Sequence, residues 1–119
     1  MKKISILILM MYSFSYSIEC EKIQIDELKY MKKNELIETY KKEHSKYQLN
    51  LKFMNQSNER SDEFKSKGDF NTAILFNKKA SNFSIENICH AKNKDNIKRV
   101  LEKDFKITEN EFNKLVNAK

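Results

Sequence analysis

The amino-acid sequence predicts an all-α fold, a small bundle of four to five helices with a long first helix and one disulfide bond. Proline is absent and there is a single glycine, Gly68, and these two residue types interrupt helices most strongly. Apolar residues recur at helical spacing over long stretches, with few polar corners between them. The two cysteines, Cys20 and Cys89, supply the predicted bridge.

The N-terminus has the features of a secretory signal peptide. Lys2 and Lys3 precede an apolar run over residues 4–11, and Ser15 and Ser17 suit the small-residue positions of a cleavage site. Cleavage after residue 17 leaves residues 18–119 as a single helical domain. The apolar run is too short to span a membrane comfortably. We therefore expect an exported protein, periplasmic or extracellular, which contacts membrane only through this signal or through a lipid on Cys20.

The expected export determines how the two cysteines are interpreted. Disulfides form and persist in oxidising compartments, so an even pair in an exported chain is read as one bridge between Cys20 and Cys89. Two alternatives remain open, an intermolecular disulfide and a lipidated Cys20 that leaves Cys89 free. Lipidation is disfavoured because a lipoprotein signal requires a small side chain just before the cysteine, and here that residue is Glu19.

The first half of the domain predicts a brief helix capped by Asp26 and then one long helix from about Asn34 to Lys67. An apolar stripe at steps of three, four or seven residues defines the buried face of the long helix. A kink is expected near residues 56–58, where the stripe weakens. The stripe consists of Leu36, Tyr40, Tyr47, Leu51, Met54, Ser61 and Phe64.

The second half begins at a corner formed by Gly68 and Asp69, because glycine ends helices and aspartate caps them. The next helix is expected to bury Phe70, Ala73, Ile74, Asn77, Ala80 and Phe83. Ser84 either caps a further segment or lies within the same helix, and residues 93–96 form a polar break before a short helix over residues 97–105. A capping box of Thr108 and Glu111, with Ile107 and Phe112 as a hydrophobic staple, starts a final helix.

The segment around the glycine corner, KSKGDFNTAILFNKKA, resembles the second half of a tetratricopeptide repeat. Its turn glycine, aromatic residue and packing alanines correspond to Gly68, Phe70, Ala73 and Ala80. Asn77 stands where that family has an aromatic residue, and no second copy follows at the repeat period of about 34 residues. The resemblance covers about sixteen residues and implies an antiparallel helical hairpin, without any ligand-binding residues.

No catalytic or metal-binding motif is evident. His44 and His90 are the only histidines, and neither has ligands at zinc-site spacing. Cys89 and His90 are adjacent, so on a helix their side chains diverge by about 100°. The acidic pairs lie in polar stretches that give no reason for a shifted pKa. We therefore expect no enzyme activity, no metal site and no cofactor.

The formal net charge is +6, and loss of Lys2 and Lys3 with the signal leaves about +4. The densest basic stretch contains Lys92, Lys94, Lys98 and Arg99, a candidate patch for binding an acidic partner.

These features predict an exported protein that binds a partner protein, of an inhibitor or immunity type. The first alternative is a secreted effector or a surface structural protein. The second is a basic nucleic-acid-binding module, which export and the interspersed acidic residues disfavour.

Overall fold

The computed structural model describes residues 20–117, so the predicted signal peptide lies outside the described residues. This part of the chain folds into helices, and it contains no strand. In chain order the helices are α1 (Ile25–Leu28), α2 (Lys33–Ser66), α3 (Phe70–Asp104) and α4 (Glu109–Asn117). Within residues 20–117, no helix has both the length and the apolar character needed to cross a membrane.

The long helices contribute to two compact units. The hairpin unit contains Asn50–Glu86, together with Cys20 among the described residues. The core unit contains Glu21–Leu49 and Asn87–Lys119, described as far as residue 117.

The hairpin unit turns at Gly68, as the sequence predicts. Gly68 has φ +80°, the left-handed conformation that glycine adopts without strain. The amide of Asp69 donates to the carbonyl of Phe64 at 2.9 Å, and the amide of Gly68 donates to that of Lys65 at 3.0 Å, which is the Schellman pattern. The Asp69 carboxylate then accepts from the Thr72 amide at 3.2 Å, so Asp69 is the predicted N-cap of α3.

Small and polar side chains fill the interior of the hairpin unit. Its buried apolar residues are Ala73 and Ala80, and its buried polar ones include Ser57 and Ser61. Ser61 Oγ donates to the carbonyl of Ala73 at 3.0 Å, which requires the two helices to approach closely. Aromatic pairs join the helices beside this seam. Phe64 stacks on Phe76 at 5.5 Å, and both are half-buried, whereas the exposed Phe53 meets the half-buried Phe83 at 5.4 Å.

The core unit, in contrast, buries a contiguous cluster of large apolar side chains. All four helices or their flanking loops contribute to it. Seven of its eight members are 0–4% exposed, and Ile37 is the most exposed at 6%. The cluster consists of Leu28, Leu36, Ile37, Ile97, Val100, Leu101, Ile107 and Phe112. Burying a side chain of this size stabilises the fold by about 1.5–3 kcal/mol relative to leaving it exposed.

The last helix starts as its sequence predicts. The amide of Glu111 donates to Thr108 Oγ1 at 3.2 Å, and the Thr108 hydroxyl is 3.2 Å from the Glu111 carboxylate. The staple residues Ile107 and Phe112 belong to the same buried cluster. Lys106, just before them, has φ 53°, a left-handed residue at the end of α3 that the sequence did not predict.

The structure differs from the sequence predictions in the order and continuity of the helices. The first described helix, α1, has 4 residues, and two long helices of 34 and 35 residues follow it. The long first helix of the predicted bundle is therefore not confirmed. Helix α2 continues without a break in its helical assignment through residues 56–58, and α3 continues through Ser84 and through residues 93–96.

The expected polar break fails because Asn93 has specific partners in the core unit. Its Oδ1 accepts from the Ile23 amide at 2.9 Å, and its Nδ2 donates to the Glu21 carbonyl at 2.8 Å. One asparagine side chain thus pairs with the backbone of an extended segment, and Asn93 is only 1% exposed. A polar residue that satisfies distant backbone groups can occupy a buried helix position.

The predicted buried face of α3 is also partly wrong. Ala73 and Ala80 are buried, but Phe70 is 62% exposed and Ile74 is 50% exposed. Because the helices pack closely on alanine and serine, the interior of the hairpin unit admits small side chains, and these larger ones lie on its surface.

Candidate functional site

The predicted basic patch divides into two faces of α3 in the core unit. Residues four apart share a helix face, so Lys94 and Lys98 lie together, and Lys92 and Arg99, seven apart, lie together on another face. Arg99 pairs with Asp95 at 3.2 Å. Lys98 pairs with Glu109 at 3.4 Å and with Glu102 at 3.9 Å. The four cations therefore do not form one continuous patch.

Lys94 lies over two aromatic rings, whereas Lys98 and Arg99 pair with carboxylates. Its Nζ lies 4.5 Å from the centre of the Tyr47 ring and 5.6 Å from that of Tyr40, within the range of cation–π attraction. Among residues 20–117, no carboxylate forms an ion pair with Lys94. Burial lowers the pKa of Lys94 below its usual value, since burial penalises the charged ammonium.

Tyr40 is the centre of this cluster. Its ring meets Phe112 edge-on at 4.8 Å and stacks on His44 at 6.2 Å with an angle of 9°. Burial raises the pKa of Tyr40, and the positive charge of Lys98 acts in the opposite direction. Burial and then the charge of Lys94 lower the pKa of His44, so His44 is predominantly neutral at pH 7.

A cavity of about 320 Å³ opens beside these rings within the core unit, close to the lower limit of volume for small-molecule sites. Helices α2 and α4 supply its walls. The lining residues are Tyr40, Lys41, His44, Ser45, Phe112, Asn113, Val116 and Asn117. We call this cavity, with Tyr47 and Lys94 beside it, the tyrosine–lysine site.

The sequence identified parts of this site without assembling them. Tyr40 and Tyr47, seven residues apart, were predicted to line the edge of the core, and both are half-buried. Lys94 was one of four candidate cations. No local signal shows that Lys94 faces the tyrosines whereas Lys92 does not, because this depends on how α2 and α3 pack within the core unit.

A buried acid–histidine pair lies elsewhere in the core unit. His90 is 0% exposed and Glu43 is 8% exposed, and His90 Nδ1 is 2.5 Å from Glu43 Oε2. Since a carboxylate oxygen accepts, Nδ1 carries the proton in this hydrogen bond. Glu43 does not belong to the apolar stripe that the sequence predicts for this helix, and the tertiary packing places it inside.

The same acid and histidine are potential metal ligands. A structural zinc site needs about four such ligands and a catalytic one about three. Cys20 and Cys89 form the predicted disulfide in this structure, so neither supplies a thiolate. The geometry favours a structural pair that is hydrogen-bonded in the interior.

The hairpin unit carries a different kind of surface. Phe70 is 62% exposed, Leu75 is 60%, Ile85 is 53% and Ile74 is 50%. We call these four side chains the apolar face. A second cavity of about 440 Å³ adjoins it, lined by Leu75, Phe76 and the polar residues Thr72, Lys78, Lys79 and Asn82.

Comparisons with known proteins give no relative from which a role could be transferred. No family model, no curated protein and no solved structure matches this chain. The candidate sites are therefore interpreted from their own geometry and chemistry.

Proposed function

We propose that the protein is exported and acts by binding a partner protein through the apolar face of its hairpin unit. The observation that carries this proposal is the exposure of Phe70, Ile74, Leu75 and Ile85 in a unit whose buried apolar residues are alanines. Single exposed apolar residues are common on protein surfaces, but a contiguous group often marks an interaction site.

Helical geometry brings three of these residues onto one side of α3. At about 100° per residue, Phe70, Ile74 and Ile85 fall within an arc of about 60°. Leu75 extends the group toward the cavity beside Lys78 and Lys79. A rigid helix that presents large apolar side chains in this way resembles the helices that dock into apolar grooves.

Charge indicates the chemistry of the partner. The sequence from residue 70 to residue 85 contains Lys78 and Lys79 and no acidic residue. Lys79 also lies 5.3 Å above the Phe76 ring. Complementarity therefore favours a partner whose apolar surface is bordered by carboxylates, since opposite charges at the rim of an interface promote encounter and fix orientation.

The proposal that the protein is exported rests on the sequence of residues 1–17. The disulfide between Cys20 and Cys89 supports it, because such bonds persist mainly in oxidising compartments. Within the class of exported binding proteins, we favour an inhibitor or immunity-type protein. Covering an apolar, acidic surface on another protein is a direct way for a small helical protein without its own chemistry to block that protein.

The test uses the full chain, purified in its disulfide-bonded form and immobilised on beads. It is incubated with an envelope fraction from its source cells in buffer of moderate salt. Ile74→Glu places a carboxylate on the apolar face and is expected to abolish capture of the partner. Asn55→Glu adds the same charge at an exposed position of α2 in the same unit, and we expect this control to retain capture.

Three outcomes would contradict the proposal. Equal capture by Ile74→Glu and the wild type would show that binding does not use the apolar face. Equal loss in Asn55→Glu would indicate a general charge effect. Captured material that disappears on nuclease treatment, with a steep salt dependence, would favour a nucleic-acid-binding protein instead.

A further inference from the structure

The tyrosine–lysine site combines aromatic side chains with polar and positively charged groups. Tyr40 and Phe112 supply aromatic wall, Val116 adds an aliphatic patch, and Lys41 lines the cavity directly. Ser45 and Asn113 contribute hydroxyl and amide groups that can donate hydrogen bonds. Small-ligand sites bring apolar surface together with polar groups that fix the orientation of the ligand, and about half of this cavity's lining is polar.

The electrostatics of the site select against a cation. Lys94 is held over two tyrosine rings and acts on His44 strongly enough to contribute to its lowered pKa. Lys41 is 4.0 Å from the exposed carboxylate of Glu38, a contact weakly held in water. An anion that entered the cavity would be attracted by both ammonium groups, and it would offset part of the desolvation that Lys94 experiences.

We propose that this cavity binds a carboxylate carried on a small apolar or aromatic body. The aromatic side chains would contact the apolar body of the ligand. Its carboxylate would lie near Lys41 and near the part of His44 that is closest to Lys94. The site shares no residue with the apolar face of the hairpin unit, so it can fail or succeed independently of the proposed function.

A carboxylate on a small apolar body has two sources, a free organic acid and the C-terminal residue of a peptide. Benzoate is the probe for the first source. The tripeptide Gly-Gly-Phe with a free carboxyl group is the probe for the second. Benzamide and the amidated tripeptide have nearly the same shape without the negative charge, so each acid has a matched neutral control.

The experiment is an NMR titration of the full, disulfide-bonded chain at pH 7 and low salt, which follows the ring signals of Tyr40, His44 and Phe112. Benzoate is expected to shift these signals saturably, with an affinity at least about fivefold higher than that of benzamide. Tighter binding of the free tripeptide than of benzoate would identify a peptide terminus as the source. Tighter binding of benzoate would identify a small acid.

Lysine variants locate the charge that attracts the probe. Lys94→Gln and Lys41→Gln should each weaken benzoate binding about threefold. Lys41 lines the cavity, and Lys94 lies 5.6 Å from the ring of Tyr40, which is part of the lining. Lys92→Gln on α3 and Lys42→Gln on α2 are the matched controls, since both lysines are exposed and outside the lining, and these two variants should leave the affinity unchanged. Thermal melting of each variant would verify that it is folded.

The proposal is overturned if benzamide binds as tightly as benzoate, or if neither acid produces saturable shifts at the cavity residues. It is also overturned if Lys92→Gln and Lys42→Gln weaken binding as much as the two cavity variants do. That result would mean that the acids respond only to the overall positive charge of the protein.

Discussion

The hairpin unit and the core unit use segments of the same two long helices but fill their interiors with different side chains. The core unit buries leucine, isoleucine, valine and phenylalanine, whereas the hairpin unit buries alanine, serine, asparagine and glutamate. Since hydrophobic stabilisation scales with the apolar area removed from water, most of it resides in the core unit. The hairpin unit leaves Phe70, Ile74, Leu75 and Ile85 on its surface.

The disulfide provides the largest expected effect. Cys20 and Cys89 close a loop of about 69 residues, and the chain-entropy model gives about 4 kcal/mol for a loop of this length. We expect the Cys20→Ser/Cys89→Ser double variant to lose up to this free energy of unfolding, measured by urea denaturation of the oxidised protein. The double variant should not respond to reductant. Equal stability of the wild type and the double variant would contradict a stabilising bridge.

A matched pair of truncations on α3 compares the two interiors directly. Leu101 is 0% exposed in the core unit, and Leu75 is 60% exposed in the hairpin unit. Leu101→Ala should lower the free energy of unfolding by about 3 kcal/mol through lost burial and a residual cavity. Leu75→Ala should change it by less than about 0.5 kcal/mol. Similar losses in the two variants would mean that Leu75 is buried in the protein in solution.

The buried polar contacts offer a second comparison. Glu43→Ala removes the acceptor of buried His90, and Asn50→Ala removes the donor that lies 2.8 Å from Glu86 Oε2 in the hairpin unit. Leaving a buried polar group without its partner costs about 1–3 kcal/mol. We expect about 2 kcal/mol for Glu43→Ala and about 1 kcal/mol for Asn50→Ala by urea denaturation.

A double variant tests whether Glu43 and His90 interact specifically or whether each single variant only disrupts the packing of the core unit. Glu43→Leu/His90→Leu should be less destabilised than the sum of its single variants, because neither partner is then left buried alone. Strict additivity of the two losses would show that Glu43 and His90 are not energetically coupled.

The smallest expected effect concerns His44 in the tyrosine–lysine site. Its folded pKa lies below 6.5 because of burial and the charge of Lys94. The folded state therefore binds fewer protons than the unfolded state between the two pKa values, so the contribution of His44 to stability declines as pH falls through that window. NMR titration of His44 should show the lowered pKa, and Lys94→Gln should raise it toward 6.5. An unchanged pKa in Lys94→Gln, with Lys92→Gln as control, would exclude the electrostatic contact.

Local signals predicted the corners of the fold well. Gly68 with Asp69, and Thr108 with Glu111, act through backbone groups only a few residues away, so their chemistry is visible in the sequence. Ser84 left two alternatives open and Asn93 led to a wrong prediction, for the complementary reason. Each is a residue that favours caps and loops by itself, and whether it interrupts a helix depends on what packs against it.

The candidate site was less predictable than the fold. The sequence supplied Tyr40, Tyr47 and Lys94 as separate residues, together with a basic patch that the structure divides between two faces of α3. A helical repeat specifies which residues share a face of one helix. It does not specify which residue of the neighbouring helix meets them, and that pairing creates the cation–π contacts of Lys94.

The sequence by itself determined the helical class, the glycine corner, the capping box and the pairing of its two cysteines, because these depend on backbone propensity, short-range hydrogen bonds and residue counts. Only the tertiary structure decided that Glu43, His90 and Asn93 lie inside while Phe70 and Ile74 lie outside. Burial depends on the distance between packed helices. In the hairpin unit, Ala73, Ala80 and Ser61 allow a close approach of the two helices, and Phe70 and Ile74 remain on the surface.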